Sequence, residues 1–523
     1  MRAKQWLLVL AVQAIGLTII LMGMPAASAQ GAASIDSATC LGCHATPGAT
    51  APLADGQTLS LFVPADQFAE SMHGTLPCTV CHTAITEVPH QNVPATLAEW
   101  DQTRLAINKN CGNCHADSAK SYLETYHGQA AALGNTAIAT CADCHGNHAI
   151  RYVGDPLSSA SPANLMKTCQ KCHHDATPGF ATFQAHATTD DFARYPYTWI
   201  AEKFVLLLIV SAFGIFWTHS ALWFYRELRD RQQRKLRPHV RADAVPQGAG
   251  RYYQRWSVAW RWAHFIFATS VIVLVMTGIP LLYPNNAWAQ VLEQIFGGTR
   301  ISGIVHRIAA VIMLVVFAAH VVYAAIHIAR NWKTFKLFGP YSLMPNLQDA
   351  WDFIAMMKWF FGRAPRPRFD HWNYQQKVDY WAPFWGITML AATGAMLWFK
   401  TLTGAYLPGW AFNVATVVHG DEALLAAIYL FTIHYFVSHW RPDKFPLDVV
   451  MFTGSMPLEE FKRDYAVEYD RLVATGHLQE HLVDAPSRPL TLGSKILGFS
   501  MVGIGLALLV MMAIGIGSNL TTG

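Results

Sequence analysis

The 523-residue sequence predicts an all-α membrane protein in two parts, a loop-rich exported domain followed by a six-helix transmembrane part. Cys-x-x-Cys-His occurs five times between Cys40 and His173, and hydrophobic residues reach 52% while charged residues are only 14%, a balance that points to a membrane. After residue 197, six apolar runs approach or exceed the roughly 20 residues that a bilayer span needs. The net charge of +4 gives no reason to expect a nucleic-acid partner, because Lys and Arg cluster beside the apolar runs.

Residues 1–29 read as an export signal, cleaved or kept as an anchor. Arg2 and Lys4 start it, Trp6 to Met24 is apolar, and Ala27-Ser28-Ala29 is a small-residue cleavage pattern. The next segment then faces the periplasm.

Residues 30–197 carry the five motifs: Cys40/Cys43/His44, Cys78/Cys81/His82, Cys111/Cys114/His115, Cys141/Cys144/His145 and Cys169/Cys172/His173. Each has the pattern of a covalent c-type haem site, with two thiols forming thioethers and the adjacent imidazole an axial iron ligand. Zinc knuckles or disulfides would not explain a His after every pair. The motifs use all ten cysteines and recur at intervals of 38, 33, 30 and 28 residues. Few apolar runs lie between them, so five porphyrins must supply the core of this pentahaem domain.

Six other histidines lie in this domain: His73, His90, His127, His148, His174 and His186. Five bis-His irons need five distal ligands. His73 and His127 each precede a glycine that would let a porphyrin approach closely. His148 and His186 are next, and His90 and His174 compete for the fifth place.

The apolar runs are Trp199–Tyr225, Trp256–Tyr283, Ile301–Ile328, Val378–Phe399, Phe412–Ser438 and Ile496–Ile516. The 226–255 loop is basic (Arg226, Arg229, Arg231, Arg234, Lys235, Arg237, Arg241, Arg251, Arg255), as is 331–377, whereas 284–299 has no basic residue. Basic loops stay in the cytoplasm, which agrees with an N-terminal domain in the periplasm and a multi-pass protein of the bacterial inner membrane. The expected divisions are 30–197, a first span with its linker (198–255), a four-helix bundle (256–440), a cytoplasmic segment (441–494) and a last span (495–523). Glu459 to Thr475 is amphipathic and suits the cytoplasmic surface.

Ionisable groups inside a bilayer are costly and mark function. His264, His306, His320, His419 and His434 fall within the spans. His419 and His434 are separated by about 22 Å of helical rise and lie within roughly 60° of one face. Two haems stacked across the bilayer would suit them, and these must be b-type because no cysteine remains. Span direction pairs His306 with His419 near the periplasm and His264 with His434 near the cytoplasm, with His320 competing for the inner site. Gly278, Gly386 and Gly394 leave room for a macrocycle or a neighbouring helix.

Arg261-Trp262-Ala263-His264 and Thr277-Gly278-Ile279-Pro280 resemble the first helix of the bacterial cytochrome b561 and hydrogenase or formate dehydrogenase cytochrome b superfamily. That resemblance implies a four-helix dihaem bundle with ligands at His264, His306, His419 and His434. Val305-His306-Arg307-Ile308, Asp379-Tyr380-Trp381-Ala382-Pro383-Phe384-Trp385-Gly386, His419-Gly420-Asp421-Glu422 and Arg441-Pro442-Asp443-Lys444-Phe445-Pro446 are similar to the Cbc-type inner-membrane quinol oxidoreductases, fusions of a multihaem cytochrome c to this cytochrome b. The resemblance covers most of 197–490, and the haem domain matches in kind only.

The resemblance implies a quinol dehydrogenase that passes electrons from menaquinol or ubiquinol through two b haems and five c haems to a periplasmic c-type cytochrome or reductase. His320, His371, Asp379 and Tyr380 are candidate quinone-site groups near the inner haem. Asp421 and Glu422 are the candidates near the outer one, unless they form a solvated helix start. Reverse flow into quinone, or an electron-transfer anchor with no substrate site, are the alternatives. The sequence leaves the direction of flow open.

Overall fold

The computed structural model describes residues 35–90, 94–234 and 251–522. The expected export signal, residues 1–29, and the basic residues Lys235, Arg237 and Arg241 lie outside the described residues. The described residues are mostly helical, with two small antiparallel sheets among them.

The N-terminal domain is built from short helical turns whose ends are fixed by side chains. Asp36 caps Ser37–His44, Thr96 caps Leu97–Asn110, and Thr140 with Asp143 forms a capping box on Cys141–His145. Such caps are each worth about 1 kcal/mol, which matters for helices this short. β1 (Thr50–Pro52) and β2 (Thr58–Ser60) form a hairpin beside the first motif. Among the described residues of this domain, the buried apolar side chains are Leu53, Ala130, Ala160, Ala176 and Ala187. A core of one leucine and four alanines is too small to order so long a segment.

Five helices are long and apolar enough to cross a membrane: Pro196–Asp230, Val258–Leu282, Thr299–Arg330, Trp410–Trp440 and Arg488–Leu520. A sixth candidate is the pair Tyr374–Trp398 and Lys400–Tyr406, bent by 96°. In chain order they are called here the first to sixth membrane helices, with the bent pair fourth. The second packs on the third and the fourth on the fifth, and the first leans on the fifth. The sixth closes the bundle through Val502, Leu508 and Met512 against Ile272, Phe431 and Tyr435. A Cβ at Gly505 would fall 2.6 Å from the Tyr435 hydroxyl, and one at Gly515 2.4 Å from the Tyr283 ring, so these glycines permit the approach.

The fifth helix is α-helical from Trp410 to Tyr429, then winds as two π-helical turns, Leu430–His434 and Phe436–Trp440. The wider winding changes where His434 faces, so the angle expected from a straight α-helix does not apply. Such turns are rare and concentrate at functional sites.

The N-terminal domain docks where the fourth helix bends and the fifth begins. Thr177 Oγ1 donates to Gly404 O at 2.6 Å, Gly409 N donates to Thr182 Oγ1 at 2.7 Å, and Asn413 Nδ2 donates to Gln184 O at 2.9 Å. Gly179, Gly404 and Gly409 have no room for a Cβ; at Gly409 it would lie 1.9 Å from Phe183 N.

At the opposite face, β3 (Tyr252–Gln254) lies between β4 (Ser455–Pro457) and β5 (Leu482–Val483). The amphipathic stretch expected along a membrane surface is instead two helices, Leu458–Asp464 and Ala466–Thr475. They bury Phe461 and Leu472 against Tyr253, with Tyr253 and Phe461 stacked at 3.7 Å. Their apolar face makes the core of a small lobe.

Candidate functional site

Each motif closes as a single turn that sets its cysteines and histidine side by side. His115 N donates to Cys111 O and His173 N to Cys169 O, both at 2.9 Å, and His82 N to Cys78 O at 3.0 Å. Cys114 N and Cys172 N donate to those same first-cysteine carbonyls at 3.3 Å. All ten cysteines are free of disulfides. The polypeptide leaves the motif thiols open to their surroundings. Cys43, Cys81, Cys111, Cys114 and Cys172 are exposed, and the other five are half-buried. The polypeptide by itself covers none of these thiols completely, because too few apolar side chains lie around them. Four of the exposed sulfurs, at Cys43, Cys81, Cys114 and Cys172, belong to the second cysteine of a motif, next to the motif histidine. A thiol that must meet a haem vinyl from outside the chain has to be reachable in this way, so the exposure fits covalent attachment.

Each motif histidine faces one other histidine across a gap of constant width. The ring-centroid distances are 6.1 Å for His44–His90, 6.0 Å for His73–His115, 6.2 Å for His82–His148, 6.2 Å for His127–His173 and 6.2 Å for His145–His186. A metal-bound imidazole nitrogen sits about 2 Å from its metal, so two rings on opposite sides of one ion have centroids roughly 6 Å apart. The gaps therefore fit one iron each. His90, not His174, faces His44; His174 Nδ1 instead hydrogen-bonds Gln170 O at 3.1 Å, at the surface.

Two rings have their tautomer set by neighbours. His44 Nδ1 donates to the Leu61 carbonyl at 2.9 Å. Ser121 Oγ donates to Ser118 O at 3.0 Å, so the same oxygen accepts from His186 Nδ1 at 2.9 Å. In both, Nε2 is left bare as a ligand must be. The glycines after His73 and His127 lie tightly against the preceding turn. A Cβ at Gly74 would meet Phe68 O at 2.5 Å, and one at Gly128 Tyr122 O at 2.2 Å. They admit the backbone of the preceding turn, which presents the histidine.

Neighbouring motifs are tied together in sequence order. Cys78 Sγ contacts Ser37 Oγ beside the first motif at 3.6 Å, and Asn110 Nδ2 donates to Cys81 O at 2.8 Å. Arg104 donates to Asp143 at 2.8 Å, inside the fourth motif, while Asn108 accepts from Ala142 N. Ser159 Oγ donates to Cys144 O, and Thr168 Oγ1 donates to Ser159 O at 2.7 Å, beside the fifth motif.

The fifth motif adjoins the membrane part. The His173 ring lies 4.9 Å from Phe180, and Phe180 lies 5.5 Å from Phe412, two helical turns before His419. Lys400 sits over the Tyr126 ring at 5.4 Å and Arg307 over Trp398 at 5.7 Å.

Within the membrane helices the same gap occurs twice. His306 and His419 are 6.3 Å apart nearer the N-terminal domain, and His264 and His434 are 6.5 Å apart nearer the lobe. The first of these pairs is buttressed symmetrically. Thr277 Oγ1 donates to Val273 O at 2.8 Å and meets His306 Nδ1 at 2.8 Å. Thr393 Oγ1 donates to Met389 O at 2.7 Å and meets His419 Nδ1 at 3.1 Å. A hydroxyl has one proton; once given to a carbonyl, it must accept from Nδ1–H, leaving Nε2 bare. The next residues, Gly278 and Gly394, lie against those rings: added Cβ atoms would be 3.4 and 3.1 Å from the imidazoles. They make room for imidazole, whereas Gly386 faces Glu422, 3.5 Å from an added Cβ.

His264 and His434 line a cavity of about 530 Å³, a cofactor-sized space. His320, Tyr380, Trp260, Phe317 and Phe384 line its other wall. His320 does not face another ligand-like histidine. Its Nε2 is 2.8 Å from Tyr380 OH, and its Nδ1 is buried with no hydrogen-bond partner among the described residues.

Arg366, Arg441, Lys444 and Asp464 close the cavity toward the lobe. Burial opposes ionisation of Asp443, yet Arg441 and Arg366 hold its carboxyl well below the usual range, with Arg441 Nε donating at 3.0 Å. A buried ion network of this kind needs every partner present.

The remaining candidates separate. Asp379 lines the cavity, but Tyr429 OH donates to its Oδ1 at 2.8 Å and its Oδ2 is 3.5 Å from His434 Nδ1. His371 is not among the cavity-lining residues: Arg255 donates to its carbonyl at 2.6 Å and Glu468 takes its Nδ1 at 2.6 Å. Burial holds that imidazole below its ordinary pKa, and the ring belongs to the lobe's structure. Asp421 and Glu422 lie in mid-helix, and Glu422 is buried, so they are no solvated helix start. Thr277, Thr393, Asn413 and Lys400 were not marked as candidates. The repeated Thr-Gly in the second and fourth spans was the one signal available.

A family model described as cytochrome c7 and related cytochrome c matches residues 64–146, which include the second, third and fourth motifs. No curated protein matches the chain. The N-terminal part is thus similar to multihaem cytochromes c, which supports covalent haem and electron transfer in this segment.

Proposed function

We propose that the chain is a membrane quinol dehydrogenase, passing electrons from quinol through two b-type haems and five bis-His c-type haems to an acceptor outside the membrane. Haem bound between paired imidazoles supplies one-electron transfer and leaves iron no open position. The observation that carries the reading is the cavity shared by His264, His434, His320 and Tyr380. Quinol oxidation releases two electrons and two protons. The electrons leave by the His264/His434 pair, and the His320–Tyr380 pair faces the released protons. Whichever of the two donates in that bond, His320 keeps one ring nitrogen, Nδ1, able to give or take a proton in the wall of the cavity.

The order of the motifs supports a single outward path, from His306/His419 by way of Phe412 and Phe180 to His173, then back along the chain to His44. The described basic residues Arg255, Arg366 and Arg368 lie at the lobe, opposite the N-terminal domain, which supports a periplasmic position for that domain in a bacterial inner membrane. The end near Cys40 would then meet a soluble c-type cytochrome or reductase.

The test is anaerobic mixing of the purified, fully haem-loaded protein with a menaquinol or ubiquinol analogue, followed at the haem α-bands. Reduction of b haem before c haem is expected. Failure of either quinol to reduce any haem, while dithionite reduces all, would leave an electron-transfer anchor without a substrate site.

A further inference from the structure

The two membrane histidine pairs are backed by different chemistry. At the pair nearer the N-terminal domain, both Nδ1 atoms meet neutral threonine hydroxyls, Thr277 at 2.8 Å and Thr393 at 3.1 Å. At the pair nearer the lobe, His434 Nδ1 faces the Asp379 carboxylate at 3.5 Å. Tyr429, on the same helix as His434, donates to the other carboxylate oxygen at 2.8 Å, which fixes how Asp379 presents itself. The π-helical winding of Leu430–His434 lies between Tyr429 and His434 and so sets their relative orientation about Asp379. The cations that share this cavity, Arg255, Arg366, Arg441 and Lys444, are matched by Glu468, Glu227, Asp443, Asp448 and Asp464, so they do not cancel Asp379 directly.

A carboxylate behind a ligating imidazole makes it a stronger donor, which favours the more oxidised, more positive iron; a threonine hydroxyl does so much less. We propose that Asp379 is a positioning residue which, acting through His434, sets the inner haem at a lower potential than the outer one. The step from the inner to the outer haem is then downhill for an electron moving toward the N-terminal domain. This assigns the direction that the sequence left open, and it rests on the proposed presence of two b haems at these pairs.

The experiment is a mediated spectroelectrochemical titration of the b α-band in the purified, haem-loaded protein. It uses chemical mediators and no quinol, so its outcome is independent of quinol activity. Two one-electron components are expected. Asp379→Asn should raise the lower one and leave the upper in place, changing the electron-sharing equilibrium about tenfold, which is about 59 mV for one electron. Tyr429→Phe should give a smaller shift in the same component, and Thr393→Val should move only the upper one. A shift of the upper component in Asp379→Asn, or no shift with both b haems retained, overturns the proposal. If Asp379→Asn fails to hold the haem, Tyr429→Phe decides alone: a shift of the lower component supports the assignment and its absence overturns it.

Discussion

Thr277 and His306 are joined by a 2.8 Å contact whose polarity is settled by a third group, the Val273 carbonyl that takes the threonine proton. The same arrangement recurs between Thr393 and His419. Thr277→Val would keep the shape and leave a buried Nδ1–H without an acceptor, a cost of about 1–3 kcal/mol. The expected result is weaker retention of one b haem, measured as b haem per protein after detergent washing, with the c content unchanged.

The membrane histidines make a counting prediction. A pyridine haemochrome assay should give five c to two b. His264→Ala and His306→Ala should each remove one b haem, and His320→Ala should remove none while slowing quinol oxidation. Loss of b haem in His320→Ala would return that residue to the ligand set.

At the N-terminal domain, His90 and His174 are separated by one measurement. His90→Ala should convert one c haem from low to high spin, visible by EPR, because His90 is the ring facing His44 at 6.1 Å. His174→Ala should leave the spectrum unchanged, since its ring is tied to Gln170 at the surface.

The junction can be loosened without touching a ligand. Asn413 exchanges hydrogen bonds with the Gln184 backbone in both directions, at 2.9 and 3.3 Å. Asn413→Leu strands those backbone groups at a cost of about 1–3 kcal/mol. Rapid mixing should then show b haem reduced by quinol at the ordinary rate and c haem reduced late.

Covalent haem should be a folding requirement. With Leu53 and four alanines as its buried apolar residues, the N-terminal domain has little else to collapse around. Protein made without haem attachment should lose helical circular dichroism from this domain and be cut by protease within 35–190, while the membrane helices survive.

Much of this was legible in the sequence because the signals were chemical and local. Cys-x-x-Cys-His names its own site, and apolar runs name spans to within a few residues. The pattern does not say how far the chain covers its own thiols, and the exposure of Cys43, Cys114 and Cys172 emerges only from the packing. The pairing of His306 with His419 followed from span direction alone, and the structure brings those rings together. Distal partners were harder, since His44 and His90 meet through the tertiary path of the chain and no local pattern distinguishes His90 from His174. The lobe was missed because Glu459 to Thr475 has the periodicity of a surface helix, and only the position of Tyr253 shows that its apolar face is covered. Asp379 reads in the sequence as a candidate quinone-site group, and its contact with His434 follows π-helical winding that no residue pattern announces.

The facing histidines of the N-terminal domain overlap along the chain: 44 with 90, 73 with 115, 82 with 148, 127 with 173 and 145 with 186. Each interval opens before the previous one closes. A cut anywhere between His44 and His186 therefore orphans at least one imidazole, so the domain has no smaller folding unit. The segment similar to cytochrome c7, residues 64–146, contains three motifs yet only one complete pair, His73 with His115. During synthesis the last interval closes only once His186 has emerged, ten residues before the first membrane helix begins at Pro196. Pairing of the N-terminal domain's last histidine and insertion of the first membrane helix would then follow one another directly.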